Sequence, residues 1–411
     1  MNKLLFLVVF YLTCFTCSAQ TIINYTTADG LIDNFVECID VDIDDNIWFG
    51  TSMGLQMYDG TNWYLWDQSS FPSLLSNNIK AIKTTSNGEI WVGSDYGLNR
   101  LLYGVPGSVW LSYTTADGLV NNQIKSIDED DSGNIWVGTS QGVSVFDGSS
   151  WTSYASPDLH WSGVSSTAFD SNGDKWFASP LGGITHFDGI NFTVYDTSNG
   201  LLSQNVTDLV IDYQNNKWIG TGGGISVLDP SNTSFIHYTQ MYSLSPPDTL
   251  NPVVDLEIDS YGRLWSAIYV GYLAKGGIAM LSANQWSNFD VIDGVIGQNI
   301  RAISIDSENS VWIATSTGVS KILSPPNLLP NSLKNNFSFF PNPTKKHLSI
   351  VDNDSEIQEI FIHNSIGSLV YIDVNFSKYD VIDISLFKQG LYYITFRCGD
   401  LNFTKKLVIS Q

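Results

Sequence analysis

Apolar and polar residues alternate in short runs along most of the chain, and one run recurs. It reads apolar, Trp, apolar, small, hydroxyl: Ile47-Trp48-Phe49-Gly50-Thr51, Ile90-Trp91-Val92-Gly93-Ser94 and Ile135-Trp136-Val137-Gly138-Thr139, with further copies at Trp176, Trp218, Trp265 and Trp312. Runs this short, bounded by Gly, Asn and Asp, predict strands rather than helices. Twelve residues before each Trp stands a β-branched residue (Val36, Ile79, Ile124, Val164, Val206, Val253, Ile300), and two residues later a mostly small one (Cys38, Ala81, Ser126, Ser166, Asp208, Asp255, Ala302). That segment suits the innermost strand of a blade, where sheets crowd towards an axis. Six residues before the Trp an Asp recurs, at 42, 130, 170, 212, 259 and 306, with Thr85 in the second copy. Asp followed by Gly or Asn is turn chemistry, its carboxylate accepting backbone N–H groups.

The seven Trp lie 40 to 47 residues apart, the period of a four-stranded propeller blade. The seventh copy stops after its third strand, near Leu323, and a matching fourth strand appears early, at Ile22-Ile23-Asn24-Tyr25. The expected fold is therefore all-β: a seven-bladed β-propeller over residues 20–323, closed by its opening strand. The proline-rich stretch 324–336 reads as a linker. After it the Trp period is gone. Short strand-like segments at 347–351, 357–363, 369–374, 380–384, 391–396 and 403–409 predict a small immunoglobulin-like β-sandwich over 337–411.

Composition narrows the class. The chain has 411 residues, 13 Trp and 34 Gly, with 19 Lys and Arg against 41 Asp and Glu, for a formal charge of −22. That balance excludes nucleic acid as a partner. Lys3, the apolar stretch Leu4 to Leu12 and Cys17-Ser18-Ala19 read as an export signal over residues 1–19; a lipidated Cys17 fits less well behind Phe15-Thr16. The apolar stretch is too short for a membrane span, and no later one approaches that length. Cys38 and Cys398 fall in different domains, so no disulfide framework is implied.

The unit Tyr-Thr-Thr-Ala-Asp-Gly-Leu, at 25–31 and 113–119, followed by the Asp turn and Ile-Trp-Val-Gly-Thr, resembles the two-component regulator propeller repeat. That resemblance implies a kinship with periplasmic sensors of hybrid histidine kinases that detect polysaccharide fragments, but this chain has one propeller and no kinase or receiver region. The tail resembles the C-terminal sorting domain of the type IX secretion system through Phe340-Pro341-Asn342-Pro343, through Asp383-Ile384-Ser385-Leu386 leading to Gly390-Leu391-Tyr392, and through Lys405-Lys406-Leu407-Val408-Ile409. It implies the secretion machinery as a partner, passage through the outer membrane and an extracellular or cell-surface location, as in Bacteroidetes-like bacteria.

Candidate chemistry is sparse. Two G-x-S-x-G matches, at 50–54 and 138–142, fall between strands of the repeat, where a hairpin explains them better than a nucleophile elbow. Gly220-Thr221-Gly222-Gly223-Gly224 has no Lys and no helix after it, so it is not a phosphate loop. The run Asp40 to Asn46 invites a calcium reading, but Asp42 is the repeated turn residue and the Gly of a calcium loop is absent. The five His show no paired ligand spacing. No catalytic residue, metal or cofactor is assigned.

Binding is the remaining expectation. Departures from the repeat at one face of the ring single out Tyr96, His160, Trp161, Tyr242, Tyr269, Tyr272 and Lys275, aromatics beside hydrogen-bonding groups that suit a sugar ring or a peptide. The expected function is a secreted or surface-displayed, monomeric binding module for glycan or peptide. One alternative is a propeller enzyme, a polysaccharide lyase or glycosidase, with Asp158, His160 and Asp248 as its loop candidates. The other is an interaction partner of a surface sensor or adhesion complex.

Overall fold

The computed structural model describes residues 21–102, 109–159, 163–242, 251–271, 275–323, 337–340, 344–352, 359–364, 369–373, 381–398 and 401–409. Seven four-stranded antiparallel sheets form the propeller. Blade 1 is typical: Val36–Val41 innermost, then Ile47–Thr51, Leu55–Tyr58 and Trp63–Trp66 outermost. Blade 7 contributes Ile300–Ile305, Val311–Thr315 and Gly318–Ile322, and takes its fourth strand from Ile22–Tyr25, with Ile22 opposite Ile322 and Tyr25 opposite Val319. The ring closes as the repeat count required.

The innermost strands explain the small residues of the repeat. Cys38 faces Gly50 across the ladder, and a Cβ on Gly50 would overlap Cys38 Sγ and the Ile79 side chain of the next blade. Ala178, Ala267 and Ala314 take the Gly place in blades 4, 6 and 7. Ile79 and Val164 do not open their strands, which begin at Ala81 and Ser166. Their amides instead donate to Thr51 and Thr139 of the preceding blade, at 2.9 Å each, so they join blades rather than ladders.

The recurring Asp anchors six of the seven blades. In blade 1, Asp42 accepts the amides of Asp44 and Asn46 and the indole N–H of Trp48, the last at 2.8 Å. The same carboxylate-to-indole bond joins Asp130 to Trp136, Asp170 to Trp176, Asp212 to Trp218, Asp259 to Trp265 and Asp306 to Trp312. Three residues after the Asp the backbone turns left-handed, and Gly takes that place in four blades while Asp45, Asn215 and Asn309 take it in the others. Those three side chains reach back to the preceding blade round the ring, accepting the amides of Ser307, Ser171 and Ser260. Asn and Asp tolerate this conformation better than other side chains.

Blade 2 lacks the anchor. Thr85 bonds within its own turn, to Asn87 and to the Glu89 carbonyl, and the Trp91 indole N–H is buried without an acceptor among the described residues. Thr85→Asp restores the missing acceptor. It should raise the midpoint of denaturant unfolding, a gain of about 1 kcal/mol for satisfying one buried donor.

The C-terminal unit is a two-sheet sandwich. One sheet orders Phe337–Phe340, His347–Asp352 and Val381–Asp383, and the other Leu369–Asp373, Glu359–Asn364, Gly390–Cys398 and Leu401–Ile409. Leu348, Ile350, Ile360, Ile362, Ile382, Ile394 and Phe396 fill the space between them. The strand Phe337–Phe340 is an addition to the sequence expectation. The export signal at 1–19 and the linker at 324–336 lie outside the described residues.

Candidate functional site

Register decides which loops share a face of the ring. In blade 1 Val36 lies opposite Thr51, Gly50 opposite Leu55, and Leu55 opposite Trp66. The segment arriving at each innermost strand and the hairpin after each Trp strand therefore share one face, and the Asp turns share the other. On the first face Tyr96 stands at a hairpin tip of blade 2, 67% exposed, its amide held by Ser94 Oγ. Met53 and Leu181 are exposed on the matching hairpins of blades 1 and 4, and Phe35 on the segment before blade 1.

Blade 6 carries the enlarged hairpin its sequence indicated, between Leu264–Val270 and Lys275–Ser282. Tyr269 there is half-buried opposite Gly276, and Lys275 is exposed opposite Val270. Tyr242 departs from the expectation of a ligand-facing ring. It is 9% exposed, packs against Gly277, and donates its hydroxyl to Asp290 Oδ2 at 2.8 Å. Burial and that carboxylate raise its pKa. Tyr242 is thus held within blade 6 rather than facing solvent. His160, Trp161 and Tyr272 lie outside the described residues, as do Pro341, Asn342 and Pro343. Of the three residues named for an enzyme, only Asp158 is described, and it is exposed.

In the sandwich, Gly390 opens its strand opposite Ile409, while Lys405 and Lys406 face Ile394 and Tyr393 across the ladder. Tyr392 is buried, stacks on Phe387 and donates its hydroxyl to the Lys388 carbonyl. Its place in the motif thus has a packing reason.

The chemistry the sequence reading missed lies in the central channel. Eight residues before the Trp, the innermost strands of blades 1, 2, 3 and 6 present Asp40, Lys83, Asp128 and Glu257. With Asp208 and Asp255 they line a cavity of about 370 Å³. Three of the acids latch neighbouring blades: Asp40 accepts the Thr84 amide at 2.6 Å, Asp208 the Leu256 amide at 2.8 Å and Asp255 the Ile303 amide at 2.7 Å. Burial pushes Asp128 up to about 7 and Glu257 up to about 8, with Lys83 opposing both shifts. Burial and the nearby Asp208 raise Asp255, and burial raises Asp40. Burial pulls Lys83 down, but Asp40, Asp128, Glu257 and Glu129 outweigh it and the net shift is upward.

A carboxyl whose folded-state pKa is raised binds its proton more tightly when folded. Its contribution is most favourable below the unfolded pKa and is lost as pH rises through the folded value. The propeller should therefore lose stability between roughly pH 5 and 8. Channel water screens these half-buried groups, so the loss is about 1–2 kcal/mol per acid rather than the larger value the raw shift implies. Melting temperatures should fall across that range in the wild type and fall less steeply in Glu257→Gln, where one of the raised acids is gone.

One His and two carboxylates also meet outside the channel. Asp170, Asp174 and His186 bring their ligand atoms within 4.8 Å of one another, a grouping that sequence spacing does not reveal. Asp170 is already engaged there: it accepts the amides of Asn172 and Asp174 and the Trp176 indole, and the fully buried Lys217 ammonium lies 3.9 Å away. His186 is paired with Asp174 at 2.8 Å and stacks on Trp176. A dication would have to displace that ammonium, so the arrangement fits an internal ion-pair cluster.

Comparison with known families then decides the assignment. Residues 73–96 and 118–141 match the two component regulator propeller, and residues 338–410 match the secretion system C-terminal sorting domain. The chain carries two-component regulator propeller repeats and a type IX secretion sorting domain. The sorting domain makes this a secreted or cell-surface protein. Among curated proteins none matches the sequence. Among solved structures, the extracellular domain of a putative hybrid two component system from B. thetaiotaomicron is similar at 16% identity, TM-score 0.63, over 95% of this chain and 58% of that one. PorZ, a surface component of the type-IX secretion system of Porphyromonas gingivalis, is similar at 17% identity, TM-score 0.56, over 92% and 60%. Virginiamycin B lyase from Staphylococcus aureus is similar at 14% identity, TM-score 0.58, over 74% and 99%. These likenesses establish the fold. The propeller-and-tail chain spans about three fifths of the length of the first two. Among its described residues, no helix is long and apolar enough to cross a membrane.

Proposed function

We propose that the protein is a monomeric binding module, exported with its signal segment removed and delivered by the sorting domain. Its propeller takes a glycan or peptide on the face that carries Tyr96. The observation that carries this reading is the set of exposed apolar side chains, Tyr96, Met53, Leu181 and Phe35, held on that face. A rigid ring with varied loops at one end is a general way to build such a site. Screening the exported chain against glycan and peptide arrays tests it. Saturable binding that drops by about ten-fold in Tyr96→Ala, the usual effect of losing one aromatic anchor, supports the module. Binding to no glycan or peptide refutes it, and turnover of a bound polysaccharide replaces it with the enzyme reading.

A further inference from the structure

Just above the channel acids, eleven residues before the Trp, the innermost strands and the residues leading into them place Glu37, Lys80, Lys125, Ser165, Thr207, Val254 and Arg301. In a chain with only 19 Lys and Arg, three cations thus gather on blades 2, 3 and 7, around a cavity of about 230 Å³ at the mouth. Two carboxylates answer them. Glu37 bridges Lys80 at 3.3 Å and Arg301 at 2.6 Å, and Asp95, next to Tyr96, lies 3.9 Å from Lys125. Three cations thus share two ion-pair partners at the rim. Arg301 Nε and Ser126 Oγ, both of residues lining this cavity, are buried without a hydrogen-bond partner among the described residues. Below the cations, Asp128, Asp208 and Asp255 line the same cavity.

Building on the binding reading above, we propose that this mouth seats the acidic end of a glycan, a terminal uronate. Its carboxylate meets the Lys80–Lys125–Arg301 arc, and its hydroxyls donate to the acids beneath. A sugar acid combines one anion with several O–H donors, which matches cations set over carboxylate acceptors. An acidic peptide brings the anion without those donors. The cavity is smaller than the pockets of about 300–1,000 Å³ that enclose whole drug-sized ligands. It therefore takes one terminal residue, while the rest of the glycan lies across the face beside Tyr96.

The test is calorimetric titration of the full chain with oligogalacturonides and oligoglucuronides, with neutral oligosaccharides of the same linkage, and with a Glu-rich peptide, at low and high ionic strength. The expected result is binding of an acid-ended glycan at least about ten-fold tighter than its neutral counterpart, weakened by salt. Lys80→Gln and Lys125→Gln should each weaken it by about ten-fold with the melting temperature unchanged. Equal binding of acidic and neutral glycans, or binding insensitive to both lysine variants, overturns the proposal. If Tyr96→Ala still weakens that binding by about ten-fold, the module itself stands. Capture of the Glu-rich peptide but of no uronide also overturns it, and binding of no glycan or peptide removes both readings together.

Discussion

A chain lacking residues 1–25 should lose most of its stability and associate through its opened blade. Ile22–Tyr25 supplies the outer strand of blade 7, and it does more than cover an edge. Tyr25 stacks on Trp312 at 5.4 Å and meets Tyr58 and Trp63 of blade 1. Burial, with Tyr58 and Asp29 nearby, holds its phenol at about 12. Ile22 packs against the core between blades 6 and 7, Ser320 Oγ donates to Asn24 Oδ1 at 2.6 Å, and Leu323 donates its amide to the Thr21 carbonyl. Losing two apolar anchors at about 2–3 kcal/mol each, with the ladder bonds in addition, removes at least about 5 kcal/mol. That is comparable with the whole stability of many domains. It also exposes Gly318–Ile322 as an edge ready to pair with another chain. Light scattering should show oligomers, and a synthetic peptide spanning residues 21–26 should restore part of the cooperative unfolding transition. A truncated chain that stays monomeric with an unchanged midpoint would show that the ring does not depend on this closure.

The repeat made the fold legible because the constraint is local. Trp, the Asp before it and the small residue after it occupy one blade, so their spacing reports directly on one sheet. The channel was illegible for the opposite reason. Lys83 takes its effective neighbours Asp40, Asp128 and Glu257 from blades 1, 3 and 6, and nothing in the spacing says that these register positions converge. A signal was present: charged residues eight before the Trp, each directly after an Ile or Leu of the same strand. Tyr242 shows a second limit. Its loop looked exposed because it is long and proline-rich, but Gly277 on the facing strand leaves room for the ring, and Asp290 takes its hydroxyl. Exposure in an enlarged loop depends on what lies opposite it, which a single segment cannot report. Tyr96 lies in a two-residue hairpin with no such neighbour, and it is exposed as the repeat alignment indicated.

Asp259→Ala should be among the most destabilising single substitutions in the propeller, and more so than Asp212→Ala at the equivalent place. Both carboxylates hold a turn and an indole. Asp212 accepts the amides of Gln214 and Asn216, the Asn216 side chain and Trp218 Nε1, but Trp218 is half-buried and water can replace part of that set. Asp259 is buried with Trp265, and it accepts the amides of Tyr261 and Arg263, the Arg263 guanidinium and Trp265 Nε1. Arg263 is itself 2% exposed, its guanidinium over the rings of Tyr261 and Trp265. Removing Asp259 deprives a buried cation of its carboxylate and takes the acceptor from three further donors, a loss of about 3–5 kcal/mol. The loss in Asp212→Ala should be about 1–2 kcal/mol. Urea unfolding should show both as a lowered midpoint with an unchanged slope. The two sites lie on the face opposite Tyr96, so ligand binding by the folded fraction should be unaltered in both variants. Equal losses would mean that the turn bonds alone, and not the buried cation and indole, set the value of the repeated Asp.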